Sequence, residues 1–74
     1  MAEKVYWMGS LGDKDDFGLP YKGVMYDAKT KNGQWANMSY DSWVAHGAHG
    51  ERLGTGYGQK YRQQDDGRWL KVEG

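Results

Sequence analysis

Cysteine is absent from this chain, and that one absence excludes disulfides and thiolate zinc sites together. Leucine, isoleucine and valine are scarce, and no apolar run approaches the roughly 20 residues that a bilayer-spanning helix needs. Charge of one sign is also missing: net charge is zero, and acids alternate with bases along the chain. Strong non-specific attraction to nucleic acid or to an anionic membrane is therefore not expected. The start, Met1-Ala2-Glu3-Lys4, leads directly into a strand-like segment without the apolar core of a secretory signal. The expected compartment is cytoplasmic, with no membrane partner.

Aromatic residues supply what the aliphatics do not. Tyr6, Trp7, Phe17, Tyr21, Tyr26, Trp35, Tyr40, Trp43, Tyr57, Tyr61 and Trp69 can each bury roughly 150–250 Å². In a chain of 74 residues a few of them form a core in place of the scarce aliphatics, and one domain spanning 1–74 is expected. A core this small contributes only about 3–5 kcal/mol of net stability. Aromatic packing or self-association must therefore stand in for staples. Some rings must remain near the surface, because so small a domain cannot cover them all.

Residues 4–8 are β-branched and aromatic and read as a first strand. Gly9 to Pro20 is rich in glycine and carries the acidic knot Asp13-Lys14-Asp15-Asp16, which reads as a solvated loop. Residues 22–27 form a second strand. Asn32-Gly33 then signals a hairpin turn of type I′, and residues 34–38 return as a third strand. Ser39 is placed to cap a short helix over residues 40–46, with Asp41 in its first turn and Gly47 as its stop. Tyr40, Trp43 and Val44 share one face of that helix at i, i+3, i+4 spacing. Residues 47–58 hold five glycines and form a loop. Residues 59–63 and 68–72 make a second hairpin across Asp65-Asp66-Gly67. Asn32-Gly33-Gln34-Trp35 and Asp66-Gly67-Arg68-Trp69 match locally, which points to shared turn chemistry.

The chemical candidates are thin. His46 and His49 are two imidazoles three residues apart, and no third or fourth ligand stands at a useful spacing. His46 near a helix C-terminus reads more simply as a favourable cap. An EF-hand loop beginning at Asp13 would need a bidentate glutamate where Val24 stands. Gly54-Thr55-Gly56-Tyr57-Gly58 is glycine-rich but neither opens a helix nor precedes a Lys-Ser/Thr pair, so a nucleotide cradle is not expected. Ser39, Asp41, Ser42, His46 and His49 cluster in sequence, yet one short helix cannot make them converge as a catalytic triad. Arg52, Lys60, Arg62, Arg68 and Lys71 interleave with Tyr57, Tyr61 and Trp69, a pattern suited to single-stranded nucleic acid. Glu51, Asp65, Asp66 and Glu73 cancel its charge.

Several segments resemble a family of short phage-encoded proteins with a four-cysteine zinc knuckle. They are Tyr26-Asp27-Ala28-Lys29-Thr30, Gly33-Gln34-Trp35-Ala36-Asn37-Met38, Leu53-Gly54-Thr55-Gly56-Tyr57-Gly58-Gln59-Lys60-Tyr61 and Asp66-Gly67-Arg68-Trp69-Leu70-Lys71-Val72, within residues 26–74. The family carries Cys-x-x-Cys where this chain has Ser39 and Ser42. The other pair would fall near Trp7 and Ser10. The resemblance implies a zinc-ribbon-like scaffold whose metal is replaced by packing, with Trp7 filling the vacated space. It also implies a phage or prophage accessory protein.

The expected fold is α+β: two β-hairpins and one short helix, zinc-ribbon-like without metal. The expected function is non-enzymatic, engaging and even inhibiting a host protein through Tyr40, Trp43, Tyr57, Tyr61, Arg62 and Trp69. No catalytic residue, metal or cofactor is expected. The alternatives are a single-stranded nucleic-acid binder and a self-assembling structural protein whose aromatic surface forms a homo-oligomer.

Overall fold

The computed structural model describes residues 4–9, 11–48 and 52–74. Met1, Ala2, Glu3, Ser10, His49 and Glu51, all part of the readings from the sequence, lie outside the described residues. The elements in order are β1 (Val24–Lys29), β2 (Trp35–Met38), α1 (Tyr40–His46), β3 (Gly58–Gln63) and β4 (Trp69–Glu73). The four strands form one antiparallel sheet in the order β2-β1-β3-β4. The chain is thus small α+β, with two hairpins and one short helix.

Both hairpin turns use the same bonds, as their matching sequences suggest. Thr30 N–H donates to the Gln34 carbonyl and Gly33 N–H to Thr30; Gln64 N–H donates to Arg68 and Gly67 N–H to Gln64. Gly33 and Gly67 both have φ of 89°, so glycine supplies the left-handed residue in each. Asn32 is not left-handed, so the turn is not the expected type I′. It is the longer form in which one left-handed residue closes the loop.

Strand alternation divides the side chains between two faces. Tyr26, Ala28 and Met38 pack with Trp43 of α1 on one face, with Val24, Ala36 and Leu53 beside them. Met25 and Tyr61 pack with Tyr21 on the other face, beside Trp7, Leu11 and Trp69. The sheet therefore has a small aromatic core on each side. Residues 4–8 do not form a regular strand. They run antiparallel along β4 through one bridge, Tyr6 to Leu70, fixed by Trp7 N–H to the Trp69 carbonyl and Lys71 N–H to Val5.

The acidic loop is not solvated throughout. Asp15 is only 6% exposed, and its carboxylate accepts from the N–H groups of Phe17, Leu19 and Ser39 at 2.9, 2.9 and 2.7 Å. Asp16 clasps β2: its N–H donates to the Asn37 carbonyl, and its carboxylate accepts from Asn37 N–H. A free strand edge invites pairing with another chain, and here one loop occupies the rungs at Asn37 and Ser39.

Candidate binding face

Seven residues make α1, too short to persist without packing. Ser39 caps it, its hydroxyl accepting from Ser42 N–H, and Gly47 closes it by donating to the Trp43 carbonyl. Gly47 has extended rather than left-handed backbone, so glycine is needed there for another reason. A Cβ would lie 2.6 Å from the Trp43 carbonyl oxygen. The helix is held to the sheet mainly by one stack. The Trp43 and Tyr26 rings lie parallel with centroids 4.1 Å apart, and Tyr40 leans against both at 6.2 Å.

The substantial packing of α1 is on β1 and β2, so among the described residues no helix packs substantially on the same face of β3 and β4. Cross-strand partners point to the same side, and the register therefore fixes what this open half presents. Val24 pairs with Arg62, Arg62 with Leu70, and Leu70 with Tyr6. Beside that row stands Lys60, opposite both Tyr26 and Glu73. Val24, Leu70 and Tyr6 are half-buried and Arg62 is exposed. Tyr40, 49% exposed, leans on Tyr26 of β1 on this same face of the sheet.

Cations and rings alternate across the face. The Lys60 ammonium sits 5.8 Å from the Tyr26 ring centre, and the Arg68 guanidinium 4.2 Å from that of Tyr6. Arg68 is also paired with Asp66 at 2.8 Å. Its backbone and side-chain hydrogen bonds hold the Asp66 carboxyl below its usual range, and the Arg68 guanidinium is shifted up in return. Arg62 has neither a ring nor a carboxylate partner among the described residues. It is the uncommitted cation of the row.

The six expected binding residues do not share a surface. Tyr40 and Arg62 border the open half-face. Trp43, 5% exposed, and Tyr61 are core residues and present no surface to a partner. Tyr61 lies on the opposite side of the sheet with Trp7 edge-on at 5.7 Å; burial, then the Asp27 charge, raises its hydroxyl pKa. Asp27 is itself raised by burial. Trp69 is half-buried on that opposite side, edge-on to Tyr21. It lines a groove of about 350 Å³ with Leu11, Pro20, Lys22 and Gln63. Burial first, then Asp16 and Asp15, pushes the Tyr21 hydroxyl up to about 12. Tyr57 stands apart, near the turn before β3, under the Arg52 guanidinium at 5.2 Å.

Trp7 does not fill the space beside Ser39 and Ser42. It packs on the far side of the sheet, and Asp15 occupies the place beside the two serines. The Ser42 hydroxyl also bonds to this carboxylate, and the Ser39 hydroxyl lies 3.4 Å from that of Ser42. Burial alone would raise the Asp15 pKa, but bonds from Ser42, Ser39 and Leu19 outweigh it and hold the group far below the usual carboxylate range. Nothing in the spacing of Asp15 relative to Ser39, 24 residues away, announces this contact.

His46 stands in the last turn of α1, as expected, and its ring stacks on Phe17 at 4.1 Å. No hydrogen bond joins His46 to Ser39 or Ser42 among the described residues. Among those residues, no group of three or more His, Cys, Asp or Glu is placed to hold a metal ion, and no helix is long and apolar enough to cross a membrane. No family model, curated protein or solved structure matches the chain.

Proposed function

We propose that the chain is a non-enzymatic binding module that engages a partner protein through the open half of its helix-side sheet face. The observation that carries this reading is the row Val24, Arg62, Leu70, Tyr6, on which α1 makes no substantial packing among the described residues, with an exposed Tyr40 on the same face of the sheet. Apolar floor, aromatic border and an arginine without a ring or carboxylate partner among the described residues are the composition of interface anchors. The likeness to short phage-encoded proteins makes a protein of the host cell the expected partner, with inhibition as one consequence of docking. The host cytoplasm is then the place of action.

A single-stranded nucleic acid is the second reading, favoured by Lys60, Arg62 and Arg68 sharing a face with tyrosines. Two of those cations are already engaged by rings, and Glu73 and Asp66 stand beside them, which weakens a continuous phosphate track. Capture from host lysate by immobilised chain, with and without nuclease, separates the readings. The expected result is a protein retained after nuclease and lost with Arg62→Glu, but kept with Lys31→Glu on the β1–β2 turn. Loss on nuclease treatment, or steep weakening of binding to oligothymidine with salt, would favour the nucleic acid.

A further inference from the structure

From the charge pattern of the open half-face we infer the chemistry of its partner: a protein segment in which a carboxylate is flanked by apolar side chains. This rests on the proposed protein-binding reading and goes one step past it. Arg62 is central to the argument. It is exposed, has no ring or carboxylate partner among the described residues, and sits between Val24 and Leu70 in the cross-strand row. A guanidinium offers a planar fork that matches a carboxylate with two parallel bonds. An aspartate or glutamate of an extended segment placed over Arg62 would bring the side chains two residues to either side, which point the same way, over Val24 and Leu70, which are apolar and half-buried.

The flanking cations reinforce the sign. Lys60 is turned over the Tyr26 ring and Arg68 over Tyr6, so positive charge lies on both sides of Arg62 and is oriented by the rings. Glu73 and Asp66 partly balance these two flanking groups. Among the described residues, Arg62 is then the position of the row without an anion. A partner with a single acid among apolar residues meets that pattern. A chain with a charge at every unit, such as a nucleic acid, brings more anions than the row has uncommitted cations.

The test is an amide NMR titration of the full chain, labelled with nitrogen-15, against capped hexapeptides. One peptide carries a single glutamate with a leucine two residues away on either side and serine at the other positions, so that acid and leucines share a face; lysine replaces the glutamate in a second and glutamine in a third. Oligothymidine forms the fourth arm. The expected result is shifts at Val24, Arg62, Leu70 and Tyr6 with the glutamate peptide, with affinity at least tenfold above the lysine peptide. Arg62→Glu should remove that difference, while the amide spectrum outside the row shows the variant folded. Equal shifts on this row from all three peptides would overturn the acidic partner yet leave protein docking intact. Shifts from no peptide, or from oligothymidine alone, would overturn both the inference and the reading beneath it.

Discussion

At Asp15 a carboxylate removed from solvent is saturated by three backbone N–H donors and the Ser42 hydroxyl. Removing it strands donors at Phe17, Leu19 and Ser39, so Asp15→Ala should cost about 2–3 kcal/mol at neutral pH. The pH dependence has a definite sign. The folded-state pKa lies below the unfolded value, so the unfolded chain binds the proton more readily and acid favours unfolding. The Asp15 contribution is complete above the unfolded carboxylate value of about 3.9 and is lost as pH falls through the range beneath it. Urea midpoints of wild type and Asp15→Ala should therefore differ fully at pH 7 and converge as pH drops below that value. A constant gap across the acid range would contradict the assignment.

Among the elements, α1 depends on one contact more than on its own propensity. Trp43→Ala removes the stack on Tyr26 and should cost about 3–5 kcal/mol, enough to unfold most of a chain this small. Tyr40→Ala, at an exposed ring, should cost far less; circular dichroism during urea unfolding distinguishes the two. β3 begins where it does because Gly58 lies against β1. A Cβ on Gly58 would come within 2.5 Å of the Ala28 Cβ, and its φ of 152° is strained for any other residue. Gly58→Ala should accordingly destabilise the chain more than Gly33→Ala, where there is open space and only the turn's left-handed φ is strained.

These elements were largely legible, because their signals are local. The Ser39 cap, the i, i+3, i+4 aromatic spacing and the two Gly-Gln/Arg-Trp turns place α1 and both hairpins within a residue or two. What was not legible is long-range. Trp43 and Tyr40 share a helix face, and only the position of the sheet decides that one is interior and the other at the border. Tyr61 and Arg62 are adjacent in sequence and sit on opposite sides of β3, so listing them together as a surface overlooked the alternation of the strand. Asp15 looked like one of several loop acids, since its partners arrive from the β2–α1 junction.

Across the whole molecule, one short helix is set against a four-stranded sheet. It packs on β1 and β2 and, among the described residues, makes no substantial packing on the same face of β3 and β4. The opposite face carries Trp7, Leu11 and Tyr21 together with the groove beside Trp69, so helix packing and loop packing divide the two sides of the sheet. Zero net charge means that recognition on the open half rests on placement of individual groups rather than on a general field. An association of two copies through the β2 edge would have to displace Asp16 from Asn37. The free chain should then remain a monomer by sedimentation over a wide concentration range, and concentration-dependent dimer would reassign the aromatic surface to self-assembly.

Hydroxyl-radical footprinting of the chain, alone and in complex with its captured partner, tests the division into a packed and an open half most directly. The expected outcome is slow oxidation of Trp43, Met25 and Met38 in both states, with Tyr40, Tyr6 and Leu70 oxidised in the free chain and protected in the complex. Rapid oxidation of Trp43 in the free chain, or protection that appears at Trp35 and Phe17 instead, would contradict it.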